Sequence, residues 1–114
     1  MRQVTVSLGK DAQIPFETKF NGVSVDAVAT PAVEVWVNGV HDSALTASAT
    51  VTQLQDAAAP VDGSYFVEID TDALTVTDSA IVKVEATPTG GVLVTSLIAV
   101  SFVDPAGAGV SSID

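Results

Sequence analysis

The side chains able to do acid–base or metal chemistry are few in kind: one histidine, His41, no cysteine, and 14 aspartates and glutamates. General acid–base work at neutral pH needs a base beside a nucleophile, and His41 is the natural base. It sits just past Asn38-Gly39, a turn signal, where a histidine is expected to be solvated. His41-Asp42-Ser43 has the residue types of a hydrolytic triad. Three consecutive residues cannot converge on one substrate atom, however, because those roles are assembled from separate elements. Glycoside hydrolysis wants two carboxylates facing one cleft, and spacing singles out no such pair. The densest acidic cluster is Asp70, Asp72 and Asp78, with Asp62 a little before it. Loop carboxylates can coordinate calcium, but the glycine and terminal glutamate of an EF-hand loop are missing. Aspartates so placed cap turns through the neighbouring backbone, and that is the reading favoured over metal binding. Asp70, Asp72 and Asp78 are kept as the candidate metal ligands; no cofactor, no catalytic residue and no enzymatic activity are expected.

The elements that carry these residues follow from composition. The chain of 114 residues fits one domain, and 47% hydrophobic against 16% charged residues demands a real core. Valine and threonine favour pleated strands, where β-branched side chains lose little rotamer freedom, so helix is not expected. Without cysteine there is no disulfide framework and no thiolate nucleophile. The net charge of −10 repels phosphate backbones and anionic headgroups, which argues against nucleic-acid and membrane partners. There is no apolar window long enough for a membrane helix, and the start, Met1 to Thr5, enters alternation without a leader-like apolar stretch. Export, if it occurs, is expected by lysis or another leaderless route.

Alternation is visible from Gln3 to Leu8, with Val4, Val6 and Leu8 on one face, ended by a Gly9-Lys10-Asp11 turn. A second run places Ile14, Phe16, Thr18 and Phe20 together, and Pro15, lacking a donor, suits an edge or a bulge. Asn21-Gly22 predicts a tight turn, and Thr30-Pro31 leads into the strongest strand, Ala32 to Val37. There Glu34 and Trp36 oppose Val33, Val35 and Val37; Trp36 either covers the sheet or meets a partner. Asn38-Gly39 predicts a hairpin, Thr46 to Leu54 a weakly specified edge strand, and Asp62-Gly63 a turn. Ser64 to Asp70 follows with Tyr65, Val67 and Ile69 inward, then a single helical turn at Thr71 to Leu74 crossing between sheets. Ala80 to Thr87, a Gly90-Gly91 turn and a long last strand from Val92 to Val103, bent or bulged near Ser96, complete the pattern. About seven strands at this spacing make an all-β, Ig-like antiparallel sandwich over residues 1–103, with 104–114 a flexible tail or arm.

The segment Gly63 to Leu74, reading GSYFVEIDTDAL, followed by Val82-Lys83-Val84-Glu85-Ala86, resembles the Ig-like sandwich domains of tailed-phage structural proteins. Ile14-Pro15-Phe16, Pro31 before the Val33-Val35-Val37 strand, and Val103-Asp104-Pro105 extend the likeness over most of residues 10–105. The resemblance implies a virion structural protein. A single-domain chain suggests a decoration or cement protein on the outer surface of a phage head, with the major capsid protein and neighbouring copies of itself as partners. The rival settings are a baseplate or tail-fibre adaptor, or an extracellular carbohydrate- or cell-surface-binding module using Trp36, Tyr65 or Phe66. Partner contacts are expected at the termini and exposed edges, at Arg2, Gln3, Trp36, Asp104, Pro105, Val110 and Ile113. The resemblance carries over no catalytic residue.

Overall fold

The computed structural model describes residues 1–9 and 11–104. The predicted Pro105, Val110 and Ile113 contacts, and nearly all of the 104–114 arm, lie outside them. In chain order the elements are β1 (Arg2–Ser7), β2 (Ala12–Glu17), β3 (Lys19–Phe20), β4 (Val23–Ser24), β5 (Ala32–Val37) and β6 (Val40–His41). They continue with α1 (Ser43–Ser48), β7 (Thr50–Gln55), β8 (Pro60–Ile69), β9 (Ser79–Ala86) and β10 (Val94–Val103).

A five-stranded sheet of order β1-β10-β9-β5-β6 faces a three-stranded sheet of order β2-β8-β7, and β3-β4 forms a separate hairpin. β1 runs parallel to β10, and the other pairs in the two sheets are antiparallel. Placing β2-β8-β7 against β10-β9-β5 is the B-E-D against G-F-C arrangement of an immunoglobulin-type sandwich. The chain is an all-β sandwich of that topology. Period-two alternation makes the core. Ile14 and Phe16 from β2 and Tyr65, Val67 and Ile69 from β8 meet Val35, Val82, Val84, Ile98, Val100 and Phe102 in one cluster. Phe16 stacks on Tyr65 with ring centroids 5.4 Å apart.

Two hairpins form where Asn-Gly supplies two residues of positive φ, at Asn21-Gly22 and Asn38-Gly39. Pro15 lies on β2, an edge strand, where its missing N–H takes no ladder bond away.

Four local expectations are corrected. The edge strand expected from Thr46 begins only at Thr50, and Thr46 to Ser48 instead close α1 (Ser43–Ser48), because the Asp42 carboxylate accepts the Leu45 N–H at 2.8 Å and Leu45 is buried beneath. Asp62-Gly63 is not a turn but part of β8, where the backbone reverses nothing and the hairpin bend falls at residues 56–59. Thr71 to Leu74 is a β-turn closed by Leu74 N–H to Thr71 C=O at 3.0 Å, one hydrogen bond and no helix. β10 keeps unbroken register with β9 from Val94 to Ser101, with no bulge at Ser96.

Candidate functional site

The outer face of the five-stranded sheet carries the densest set of interacting polar and aromatic side chains. Register sets Glu34 beside Lys83, and Trp36 between Ile81 and His41. Lys83 Nζ lies 3.0 Å from Glu34 Oε2 and 3.9 Å from Glu85 Oε1, and 5.6 Å from the Trp36 ring centre. The Lys83 ammonium hydrogen-bonds Glu34 and holds its carboxyl below the ordinary carboxylate value; the same bond raises Lys83.

His41 is exposed, as expected, and also packs edge-on against Trp36, with centroids 5.2 Å apart. Its Nε2 lies 3.3 Å from Glu34 Oε1 and 3.4 Å from Thr46 Oγ1. A relay needs the carboxylate on one ring nitrogen and the nucleophile on the other, whereas here both approach Nε2. The Thr46 hydroxyl also accepts the Val35 N–H at 3.0 Å, which fixes it as a structural cap. The arrangement braces β6 and α1 against β5.

Two of the candidate aspartates, Asp70 and Asp78, accept hydrogen bonds from nearby backbone and side-chain donors. Asp70 Oδ1 accepts the Asp72 N–H at 2.9 Å. Asp78 accepts the Thr75 N–H at 2.8 Å and the Asn38 side-chain amide at 2.8 Å. Asn38 in turn accepts the Ser79 N–H at 3.0 Å, so its amide locks the β5–β6 turn to the start of β9. The Asn38 hydrogen bond, followed by that from Thr75, holds the Asp78 carboxyl below its ordinary value. Asp42, Asp70, Asp72 and Asp78 rim a groove of about 560 Å³ floored by Val37, Leu45, Ala73 and Leu74. Among the described residues no three histidines or carboxylates gather into a ligating group, and Asp62 stands exposed on β8.

A second polar knot, invisible in the sequence, centres on Asp26. Its carboxylate Oδ1 accepts Gln53 Nε2 and the Gly63 N–H, each at 2.8 Å, and its carbonyl accepts the Thr89 N–H at 2.9 Å. The Ala27 N–H donates to the Tyr65 hydroxyl at 2.9 Å. Residues 26–31 are thereby held against β7, β8 and the turn before β10, above a hollow of about 300 Å³ lined by Thr30, Pro31, Val51 and Tyr65.

Of the expected contact residues, Gln3 and Trp36 share one row of the outer face, Gln3–Ala99–Ile81–Trp36, beside a shallow hollow of about 320 Å³. Arg2 points to the opposite face of β1 and its guanidinium donates to the Pro15 carbonyl. Asp104 is exposed directly after β10. Trp36, Tyr65 and Phe66 form no common platform. Trp36 lies outside one sheet, Tyr65 is buried between the two, and Phe66, beside it on β8, points to the outside of the other.

Large apolar side chains are left exposed along one stretch that spacing alone did not flag: Val92, Leu93, Val94 and Leu97. Cavities of about 220 and 330 Å³ lie beside them, lined between them by Phe16, Val94, Ser96 and Ile98. Among the described residues no helix is long and apolar enough to cross a membrane. No protein-family model, curated protein or solved structure matches this chain.

Proposed function

We propose that this chain is a virion structural protein, a decoration or cement protein that binds the outer surface of a phage head and stabilises it. One observation carries the reading. The sandwich ties its polar side chains into braces that hold loops in place, and among its exposed apolar side chains Val92, Leu93, Val94 and Leu97 fall together on one stretch, where another chain can pack. That is the division of labour of a docking module, and the resemblance of residues 63–86 to phage sandwich domains supplies the setting.

The mechanism is additive. Each copy contributes a modest contact, and repetition around a symmetric shell turns many modest contacts into a clamp on neighbouring capsomers. The partners on this reading are the major capsid protein and neighbouring copies; nucleic acid and membrane are disfavoured by the charge of −10.

The test adds the purified chain to heads lacking it and measures co-sedimentation and resistance to heat and osmotic shock. Saturable binding with raised resistance is the expected result. Failure to bind heads overturns the head reading, and recovery with tails instead assigns the chain to a baseplate or fibre adaptor. Trp36-dependent binding on a glycan array overturns both particle readings.

A further inference from the structure

β10 is hydrogen-bonded to β9 along Val94 to Ser101, but on its other side β1 begins only at the Arg2–Ile98 pair. Among the described residues, Val94 to Leu97 is therefore an open strand edge. Other edges carry guards against unwanted pairing. On β2, Pro15 offers no N–H and Arg2 occupies its carbonyl. On β5, the pairing with β6 is brief, and beyond it Thr46 and Asp42 occupy the Val35 amide and carbonyl. On β7, the register breaks between Gln53 and Gln55. The outer side of β1 lies beside β2.

The β10 edge has no such device. There is no charged residue anywhere between Glu85 and Asp104 and no proline in β10. Four aliphatic side chains on or next to this edge are exposed, Val92 at 78%, Leu93 at 59%, Val94 at 49% and Leu97 at 42%.

We propose that this edge is where a second copy of the chain adds, β10 against β10 in antiparallel register about a two-fold axis, making one continuous sheet across the pair. Charge selects that occupant. Two molecules at −10 each can approach only where local charge is small, and beside this edge Arg2, Lys19 and Lys83 stand against Glu17 and Glu85, with Lys19 Nζ 3.9 Å from Glu17 Oε1 and Lys83 Nζ 3.9 Å from Glu85 Oε1. A two-fold axis lets each copy set its Lys19 toward the other's Glu17 while the uncharged strands pair. The contact is short, at the small end of specific interfaces, below about 1,200 Å², so the dimer is weak and concentration-dependent. It assembles where copies are crowded together. The inference rests on the edge and not on the particle reading, and stands or falls separately from it.

Sedimentation equilibrium of the full chain tests it, from about 10 μM to about 1 mM, in low salt and in about 0.5 M salt, where the long-range repulsion is screened. A monomer–dimer equilibrium that tightens with salt is expected. Val94→Lys and Leu97→Lys should each weaken it at least tenfold. They do so while lowering the net negative charge, so relief of repulsion cannot account for the loss. Both sites are solvent-exposed, and an unchanged thermal midpoint confirms folding. Hydrogen exchange should show protection at Val94 to Leu97 amides in concentrated but not dilute samples. A monomer at every concentration, or a dimer indifferent to both lysines with no new protection, overturns the proposal.

Discussion

Gly63 shows how much one residue can hold. Its φ is +71°, and a Cβ placed there would stand 2.7 Å from the Thr18 carbonyl oxygen and 2.8 Å from both N and O of Val25, all backbone atoms that cannot swing aside. Its own carbonyl accepts the Thr18 N–H and its N–H is taken by Asp26. Gly63→Ala should therefore destabilise the fold by about 2–4 kcal/mol, read by urea unfolding, because it adds both strain and collision. Asp26→Ala leaves the Gly63 N–H unmet and removes one of the two acceptors of Gln53 Nε2, the other being the Val61 carbonyl, and should cost about 1–3 kcal/mol in the same measurement. The ionised pairs give a pH signature. Glu34 and Asp78 titrate below their ordinary 4.5 and 3.8, so what they contribute is present above those values and is lost as pH falls through the lower, folded ones. Lys83 titrates above its ordinary 10.5, so its contribution is complete below that and lost as pH rises through the higher, folded value. The difference in melting temperature between the parent chain and Glu34→Gln should be constant near neutrality and shrink below pH 4.5. A difference that grows on acidification would contradict the Glu34–Lys83 assignment.

At the scale of elements, the cap on α1 offers a clean check: Asp42→Ala should cost about 1 kcal/mol and leave β5 and β6 intact. That helix also marks the limit of what the sequence made legible. Strands with period-two valines, β1, β5 and β9, were readable because one face must be apolar, and both Asn-Gly hairpins because few residue pairs accept two positive φ values. Ala44 to Ser48 has no such contrast. Its only periodic anchor is Leu45, and the signal lay in Asp42 as a cap rather than in hydrophobic spacing. Asp62-Gly63 misled for a related reason. Gly63 does take a positive φ, but it serves a close backbone approach and not a reversal of the chain. The Asp26 knot was beyond reach, since Gln53, Gly63 and Thr89 are distant in sequence and nothing local marks them as partners. The open edge of β10 was likewise hidden: the residues were evidently a strand, but which side of it lacked a neighbour depends on where β1 stops.

For the whole molecule, the acidic surface sets the response to salt. With net charge −10 and most ionised groups exposed, self-repulsion opposes the compact state, and added salt should raise the melting temperature over the first few tenths molar. Insensitivity to salt would mean that the charges are already compensated by bound cations. The topology also separates rigid from adaptable parts. The outer row of Trp36, Lys83 and Glu34 is braced by neighbours on three strands, whereas the Val92 to Leu97 stretch has apolar surface and no bracing partner on one side. On the proposed reading, the second would be the contact surface and the first the rigid frame behind it.

The parallel pairing of β1 with β10 joins the first strand to the last, six residues against six, from Arg2–Ile98 to Ser7–Val103. A tension applied between the start of β1 and the end of β10 runs along these two strands, so it loads their hydrogen bonds side by side in shear instead of peeling them one at a time. Such a clasp fails all at once and at high force. A domain tethered by its two ends to a surface that swells would thus act as a stiff link, yielding only when the whole β1–β10 seam gives way.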